Sequence, residues 1–362
     1  MKDKLFRQVE ILLKHCYCFV MWVIDLYKNT LKRRNLLDID PIYKKEIRTY
    51  WRKYKKRINL RDYRWYQSKG ALKDVRMITD AVFHTSIEPH YNDVTILKAF
   101  SNKCYFSLFF HGSLVPYTIA KRINGVYMDD NFNLLQLNQV IDLCMNEKEI
   151  VIKPALDSGG GRNITFYTIK NGENPKKIEQ LISRYQSDFV IQRRLVQHEE
   201  LSRINSTSLN TVRVQSFLFH GKVYILSFLL RCGQKGANVD NLSRGGISVS
   251  IDQFGRFFPI GYDDLGNQYR KHPSGYVFEG KRMPGYEKII ECVKKLHPRF
   301  PNFGFIGWDI AVNQDSEPVI VEFNLIDTCI QAGQIANGPL FQELTDEVLD
   351  EVFHKKRKRC QR

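Results

Sequence analysis
The sequence predicts an α+β fold of two facing α/β lobes, preceded by a basic helical arm. Three stretches carry that prediction. Residues 150–166 read as a β-branched strand bearing Lys153, a loop containing Gly159, Gly160 and Gly161, and a second apolar strand. Residues 211–219 read as a strand with Arg213 in its interior. Gly304-Phe-Ile-Gly-Trp-Asp309-Ile-Ala-Val and Glu317-Pro-Val-Ile-Val-Glu322-Phe-Asn324 flank Asn313-Gln-Asp-Ser316, the turn of an antiparallel hairpin. At 362 residues the chain is long enough to bury a large core and to hold more than one subdomain.

Residues 1–60 have the character of an amphipathic arm, because Leu5, Val9, Leu12, Cys16, Phe19, Val20, Val23 and Tyr27 recur at helical spacing. The apolar run from Tyr17 to Ile24, bounded by Lys14-His15 and Asp25, is too short to span a bilayer. No small-residue cleavage site of a signal peptide follows it. With Lys32-Arg33-Arg34 behind it, such a helix suits a membrane surface; the alternative is a helix packed on the body. Charge is distributed unevenly: of a net +16, residues 1–76 hold 21 Lys/Arg against 8 Asp/Glu, and the tail 355–362 adds six more cations. The body between is nearly neutral, which turns expectation away from specific nucleic-acid binding. Basic ends of this kind meet an anionic membrane, an acidic glycan or a partner protein, or are simply solvated. Tyr50-Trp-Arg-Lys-Tyr-Lys-Lys-Arg57 and Arg61-Asp-Tyr-Arg-Trp-Tyr66 mix cations with aromatics as RNA-binding surfaces do, yet no recognition module accompanies them. A helix with aromatics on its core side accounts for them as well.

Residues 61–146 are expected to form the first lobe, with strand, turn and strand over 115–129 and a closing helix over 134–145. Residues 147–354 form the second unit, divided near residue 195. Glycines free the loop's backbone N–H groups to approach phosphate oxygens, and Lys153 supplies a point charge; the competing possibility is a plain hairpin beside a solvated lysine. This is not a Walker loop, since no Gly-x-x-x-x-Gly-Lys-Ser/Thr occurs and a strand follows the glycines. A helix is expected over Tyr286–Leu296 and another over 340–352. Period-2 alternation in the hairpin places Asp309, Glu322 and Asn324 on one face. Three hard oxygen ligands there suit Mg²⁺, which usually shares its shell with nucleotide phosphates.

Other classes are disfavoured. Hydrophobic content of 43% with 12% aromatics is that of a globular chain. The eight cysteines form no Cys-x-x-Cys pair and no histidine cluster completes a zinc site, so reduced, structural thiols of a cytoplasmic protein are expected. No Ser-His-Asp order supports a hydrolase.

Taken in order, the lysine strand with its glycine loop, Asn210-Thr-Val-Arg213-Val, Leu229-Leu-Arg231, Asn241-Leu-Ser-Arg244-Gly-Gly246 and Asp309…Glu322-x-Asn324 resemble the ATP-grasp superfamily. The resemblance is to its sugar-transfer-associated branch and to its glutamate-ligase group, and spans about residues 60 to 345. Ser101-Asn-Lys103 departs from the pattern, which usually has an Asp before this lysine. The resemblance implies two lobes sandwiching ATP, with Mg²⁺ held by Asp309, Glu322 and Asn324. It puts Lys103 and Lys153 on the nucleotide phosphates, under a loop of Ser158, Gly159, Gly160 and Gly161. Gln192, Arg193 and Leu195, at the end of an apolar strand, would line the adenine pocket. Either Glu199 or Glu200 would take the ribose hydroxyls.

The chemistry so implied is ATP-dependent ligation, in which a carboxylate attacks the γ-phosphate to give an acylphosphate and a nucleophile then displaces phosphate. Arg213, a buried cation within a strand, needs an anion, and a substrate carboxylate or the transferring phosphate is the expected partner. Arg231, Asn241 and Arg244 would complete that anion site, with salt bridges inside the protein as the alternative for each arginine. Three functions are compatible: a carboxylate ligase of surface-polysaccharide or sugar-conjugate synthesis, an ATP-grasp phosphotransferase, and a non-catalytic nucleotide-binding partner protein. The substrates would be a small or glycan-linked carboxylate and a nucleophile, and the site of action the cytoplasm, peripherally at the inner membrane face.

Overall fold
Two antiparallel sheets face each other across a cleft. The computed structural model describes residues 36–354 apart from 111, 157–160 and 327, together with scattered positions between 9 and 27. The first sheet has the order β3-β2-β1-β6-β4-β5, from β1 (Thr118–Ile123), β2 (Val126–Met128), β3 (Leu134–Leu135), β4 (Glu149–Pro154), β5 (Thr165–Thr168) and β6 (Phe189–Arg193). The second runs β11-β10-β9-β8-β7-β12-β13. Its strands are β7 (Thr211–Phe219), β8 (Lys222–Cys232), β9 (Ile247–Ile251), β10 (Phe257–Tyr262), β11 (Gln268–Tyr269), β12 (Phe305–Val312) and β13 (Pro318–Asn324).

Alternation decides what each face of the first sheet meets. Ile150 and Ile152 of β4, with Phe189 and Ile191 of β6, pack against Val140, Ile141, Ile178 and Ile182 of the helices Leu137–Met145 and Pro175–Ser183. Glu149, Val151 and Lys153 therefore turn to the cleft. Both helices start at side-chain caps: Gln136 and Gln139 form a capping box, and Asn174 Oδ1 accepts from the Lys176 N–H at 3.0 Å. Residues 134–135, expected to open the first of these helices, instead pair as β3 with β2. The boundary expected at 146/147 runs through this sheet, because β1 pairs with β6 and Thr118 stands opposite Gln192. A pairing between residues so distant in sequence leaves no local pattern.

In the second sheet Val212, Val214, Ile306, Trp308 and Ile310 face the helix Tyr286–Leu296, which lies where its amphipathic spacing placed it. The opposite face is covered only at one end, where Phe217, Phe219 and Phe305 meet helices from both ends of the described chain. Helix Pro41–Arg52, capped by Asp40, buries Tyr43, Ile47, Tyr50 and Trp51 there, and Trp51 Nε1 donates to the Tyr63 hydroxyl at 2.7 Å. The aromatic and basic stretch is thus a core-facing helix pair with its cations outward, as one of the two expectations had it. Residues 41–60 belong to the body, so the arm expected over 1–60 is shorter. The helix expected over 340–352 starts later, as Thr345–Phe353 after a 3-10 turn at Gln342–Leu344, and a separate helix, Gln331–Asn337, precedes Pro339. The tail 355–362 lies outside the described residues.

The hairpin forms with Asp309 opposite Glu322 and Gly307 opposite Asn324. Asn313 closes its turn, its Oδ1 accepting from the N–H groups of Asp315 at 3.0 Å and Glu317 at 2.8 Å.

Candidate active site
At the uncovered end of the second sheet the cleft has a volume of about 410 Å³. Arg213, Asp309, Glu322 and Asn324 line it from the second sheet, joined by Arg231 of β8; Val151, Lys153 and Gln192 line it from the first. β7, β8, β12 and β13 are adjacent strands, with Thr211 opposite Arg231, Arg213 opposite Asp309, and Asp309 opposite Glu322. Pairing therefore sets these charged groups side by side at the end of the sheet face that the helices leave open. Six Lys/Arg line the cleft against four Asp/Glu, an excess of positive charge suited to a polyphosphate.

Arg213 meets an acid of the protein, the alternative expected for each arginine. Its Nε and Nη2 donate to the two oxygens of Asp309 at 2.5 and 3.0 Å, and Arg231 Nη2 reaches Asp309 Oδ2 at 3.1 Å. The anion beside Arg213 is thus a carboxylate of the protein. Burial alone drives the Asp309 pKa up, but the two guanidiniums outweigh it and hold the carboxyl below its usual range. Burial likewise works to lower the Arg213 pKa, and the Asp309 charge overrides it so that the net shift is upward. Asn324 Nδ2 donates to Gly307 O at 3.1 Å and to Asp309 Oδ2 at 3.3 Å, which turns its amide oxygen away from both acceptors.

The lysines divide. Lys103, in the short turn Lys103–Tyr105, holds Glu322 Oε1 at 2.8 Å. Lys153 forms no ion pair with a described residue, and burial, then the neighbouring Lys103, push its ammonium down to about 8. Arg231 keeps a buried Nε with no acceptor among the described residues, although its Nη2 is held by Thr211 Oγ1 at 2.9 Å. Two cations on the cleft wall are thus under-satisfied, the condition that an anionic ligand relieves.

Gln192, Arg193 and Leu195 lie on the lining at the end of β6, as does Gly161; Ser158, Gly159 and Gly160 lie outside the described residues. Asn241 is on the lining, whereas Arg244 is exposed and off it. Glu199 and Glu200 are also off the lining: they form the first turn of helix Glu199–Ile204 and face away, Glu199 to Arg203 at 2.7 Å and Glu200 to the Tyr276 hydroxyl at 2.5 Å. Helix geometry caused that miss, since the acids leave the strand end only after the chain has turned. Asp240 was missed. Its Oδ2 accepts from both the backbone N–H and the hydroxyl of Thr211 and lies 3.7 Å from Arg231. Its position directly before Asn241-Leu-Ser-Arg244 was the available signal.

With facing sheets, a lysine on one and an acid, acid and amide on the other, the site is that of an ATP-grasp protein. The chain belongs to the sugar-transfer associated ATP-grasp family, whose model matches residues 82–349, and is thereby an ATP-grasp enzyme. No curated protein matches it. Solved structures similar to it include an L-amino acid ligase from Bacillus licheniformis, 10% identical with a TM-score of 0.39 over 72% of this chain and 49% of that one. The chain therefore spans about half the length of that ligase. Others are the D-cycloserine synthetase DcsG, 11% identical with a TM-score of 0.44 over 71% and 73% of the two chains, and the ATP-grasp ligase PsnB complexed with minimal precursor, 14% identical with a TM-score of 0.39 over 72% and 63%.

Proposed function
We propose that this chain is an ATP- and Mg²⁺-dependent carboxylate ligase that works through an acylphosphate, in the synthesis of a surface polysaccharide or sugar conjugate. The observation that supports it most is the pair of under-satisfied cations, Lys153 and the Arg231 Nε, on the same cleft as Glu322 and Asn324. The sugar connection rests on the family alone.

The donor set fits the divalent ion that ATP-grasp enzymes use: Asp309, Glu322 and Asn324 offer only hard oxygens, and the Asn324 amide is held by its nitrogen. When bound, Mg²⁺ supplies charge neutralisation on the phosphates. Lys153 would contact phosphate oxygens and regain its full charge on doing so. Arg231, fixed by Asp309 and Thr211, would present its Nε to the carboxylate or the transferring phosphoryl group. A substrate carboxylate oxygen would bond to the γ-phosphorus as the bond to ADP breaks; a nucleophile, an amine or similar group, would then displace inorganic phosphate. The protein contributes positioning and electrostatics rather than a covalent step.

The test combines thermal unfolding with a non-hydrolysable ATP analogue and trapping by hydroxylamine over a panel of carboxylic acids. Wild type should be stabilised by analogue plus Mg²⁺, with the effect largely lost in Glu322→Ala, and a hydroxamate should form with ADP release. ADP release with a stable phosphorylated product and no hydroxamate would assign the phosphotransferase reaction instead, and no nucleotide effect at all would remove both.

A further inference from the structure
We propose that the N-terminal helix docks this protein on an anionic lipid surface. The described residues between 9 and 27 are helical, and at 100° per residue Leu12, Leu13, Phe19, Val20, Val23 and Tyr27 fall within an arc of about 120°. Buried residues would be expected on such an apolar stripe. Instead every one is exposed, from 43% at Val23 to 66% at Tyr27. The adjoining arc holds the helix to the body: the Tyr17 hydroxyl donates to buried Glu88 at 3.1 Å, and Met21 is buried. Trp22, 47% exposed with its ring 5.9 Å from that of Phe19, borders the apolar arc. The packing the helix needs is therefore made by other residues, and the apolar stripe is left over.

Charge selects the occupant. Residues 1–34 carry eight Lys/Arg against three Asp/Glu, and the helix Pro41–Arg52 that follows exposes Lys45, Arg48 and Arg52. An exposed apolar stripe in a segment whose sequence carries excess cations matches a bilayer with anionic headgroups, which takes up both features at once. A second copy would bring like charges together and is disfavoured. The apolar run from Tyr17 to Ile24 is too short to span a bilayer, which suits a contact with the surface.

Trp22 provides the assay. The chain has four tryptophans, and Trp51, Trp65 and Trp308 are buried, so a fluorescence change on adding vesicles reports on Trp22. With the full chain, vesicles of phosphatidylcholine mixed with phosphatidylglycerol should shift the emission to the blue and co-sediment the protein. Phosphatidylcholine alone should bind about tenfold less or weaker. Phe19→Asp/Val23→Asp, with unfolding temperature retained, should lose about tenfold or more in partitioning, as should Arg48→Glu/Arg52→Glu on the cationic side. Trp22→Phe should still sediment without the spectral shift. The proposal is overturned by absence of binding to the anionic vesicles, by equal partitioning of wild type and both double variants, or by a blue shift that grows with protein concentration in the absence of lipid, which would assign the stripe to a second copy. None of these readouts involves nucleotide, so the outcome is independent of the ligase reading.

Discussion
Arg213 and Asp309 stand directly opposite each other on neighbouring strands, joined through both guanidinium nitrogens and both carboxylate oxygens. Asp309 is buried and Arg213 is largely shielded on the cleft wall, so the carboxylate would not be tolerated without its guanidinium partners. Under the proposed function Asp309 is also the acid that would face Mg²⁺, and the ion pair would then tie the metal-holding residues to the arginines that meet the anion.

Asp309→Asn should therefore be strongly destabilising, by about 3–5 kcal/mol, because it strands two guanidiniums beside a neutral amide. Arg213→Met should cost less, since Arg231 still meets the acid at 3.1 Å. Denaturant unfolding of the two single variants and the double should show the double losing less than the summed singles, by about 0.5–3 kcal/mol.

Nucleotide affinity should depend on pH through Lys153. Its ammonium is held down to about 8 by burial and by Lys103, so in the free protein the charge that would meet phosphate disappears as pH rises through that value. Titrations of a non-hydrolysable ATP analogue should show affinity falling above pH 8 in wild type and a flat, weaker profile in Lys153→Met. For stability the sign is the reverse: the folded form resists protonation, so the penalty is full below about 8 and disappears as pH rises towards 10.5.

Acid sensitivity has a separate source in His297. Its Nε2 donates to the Phe303 carbonyl at 2.9 Å, which fixes the tautomer and leaves Nδ1 to accept from Ser216 Oγ at 2.7 Å; Trp308 Nε1 donates to the same hydroxyl at 2.8 Å. Burial pushes the imidazole down from 6.5 to about 4, so the folded state stays neutral while the unfolded chain protonates. Stability should fall as pH drops from 6.5 towards 4, by about 2 kcal/mol at pH 5 from this group. Urea unfolding of wild type and His297→Gln at the two pH values should show that part of the slope vanish in the variant.

Gly161 joins the two lobes by close contact. It has φ +70°, and a Cβ there would lie 2.7 Å from Val239 Cγ1, on the loop of the opposite sheet that carries Asp240 and Asn241. Gly161→Ala should cost about 1–2 kcal/mol for the left-handed backbone and weaken nucleotide binding further by pushing the loops apart. Val239→Ala in the same chain should restore only the second effect in analogue titrations.

Local periodicity carried much of this site. The strand bearing Lys153, the strand bearing Arg213 and the hairpin turn at Asn313 all lie where alternation and turn chemistry placed them, because these patterns extend over a few consecutive residues. The glutamates at 199 and 200 failed for a related reason: proximity in sequence to a strand end says nothing about direction once a helix begins. The Asp240 latch on Thr211 and Arg231 left only a weak sign, since it depends on a loop folding back across β7 and β8. The apolar face of the N-terminal helix was legible as a stripe, but its exposure was not.

By itself the sequence determined that Glu322 and Asn324 share a face, because a strand repeats every two residues; Asp309 joins them only through the register shift in the hairpin, where the pairing passes from Ile310 opposite Ile320 to Asp309 opposite Glu322. Only the tertiary structure decided which charge answers which. Arg213 meets Asp309 across a separation of 96 residues through the register of β7 with β12, while Lys153 remains without an ion partner among the described residues. Electrostatic energy depends on distances in space, and in a sheet those distances are set by strand order rather than by position along the chain.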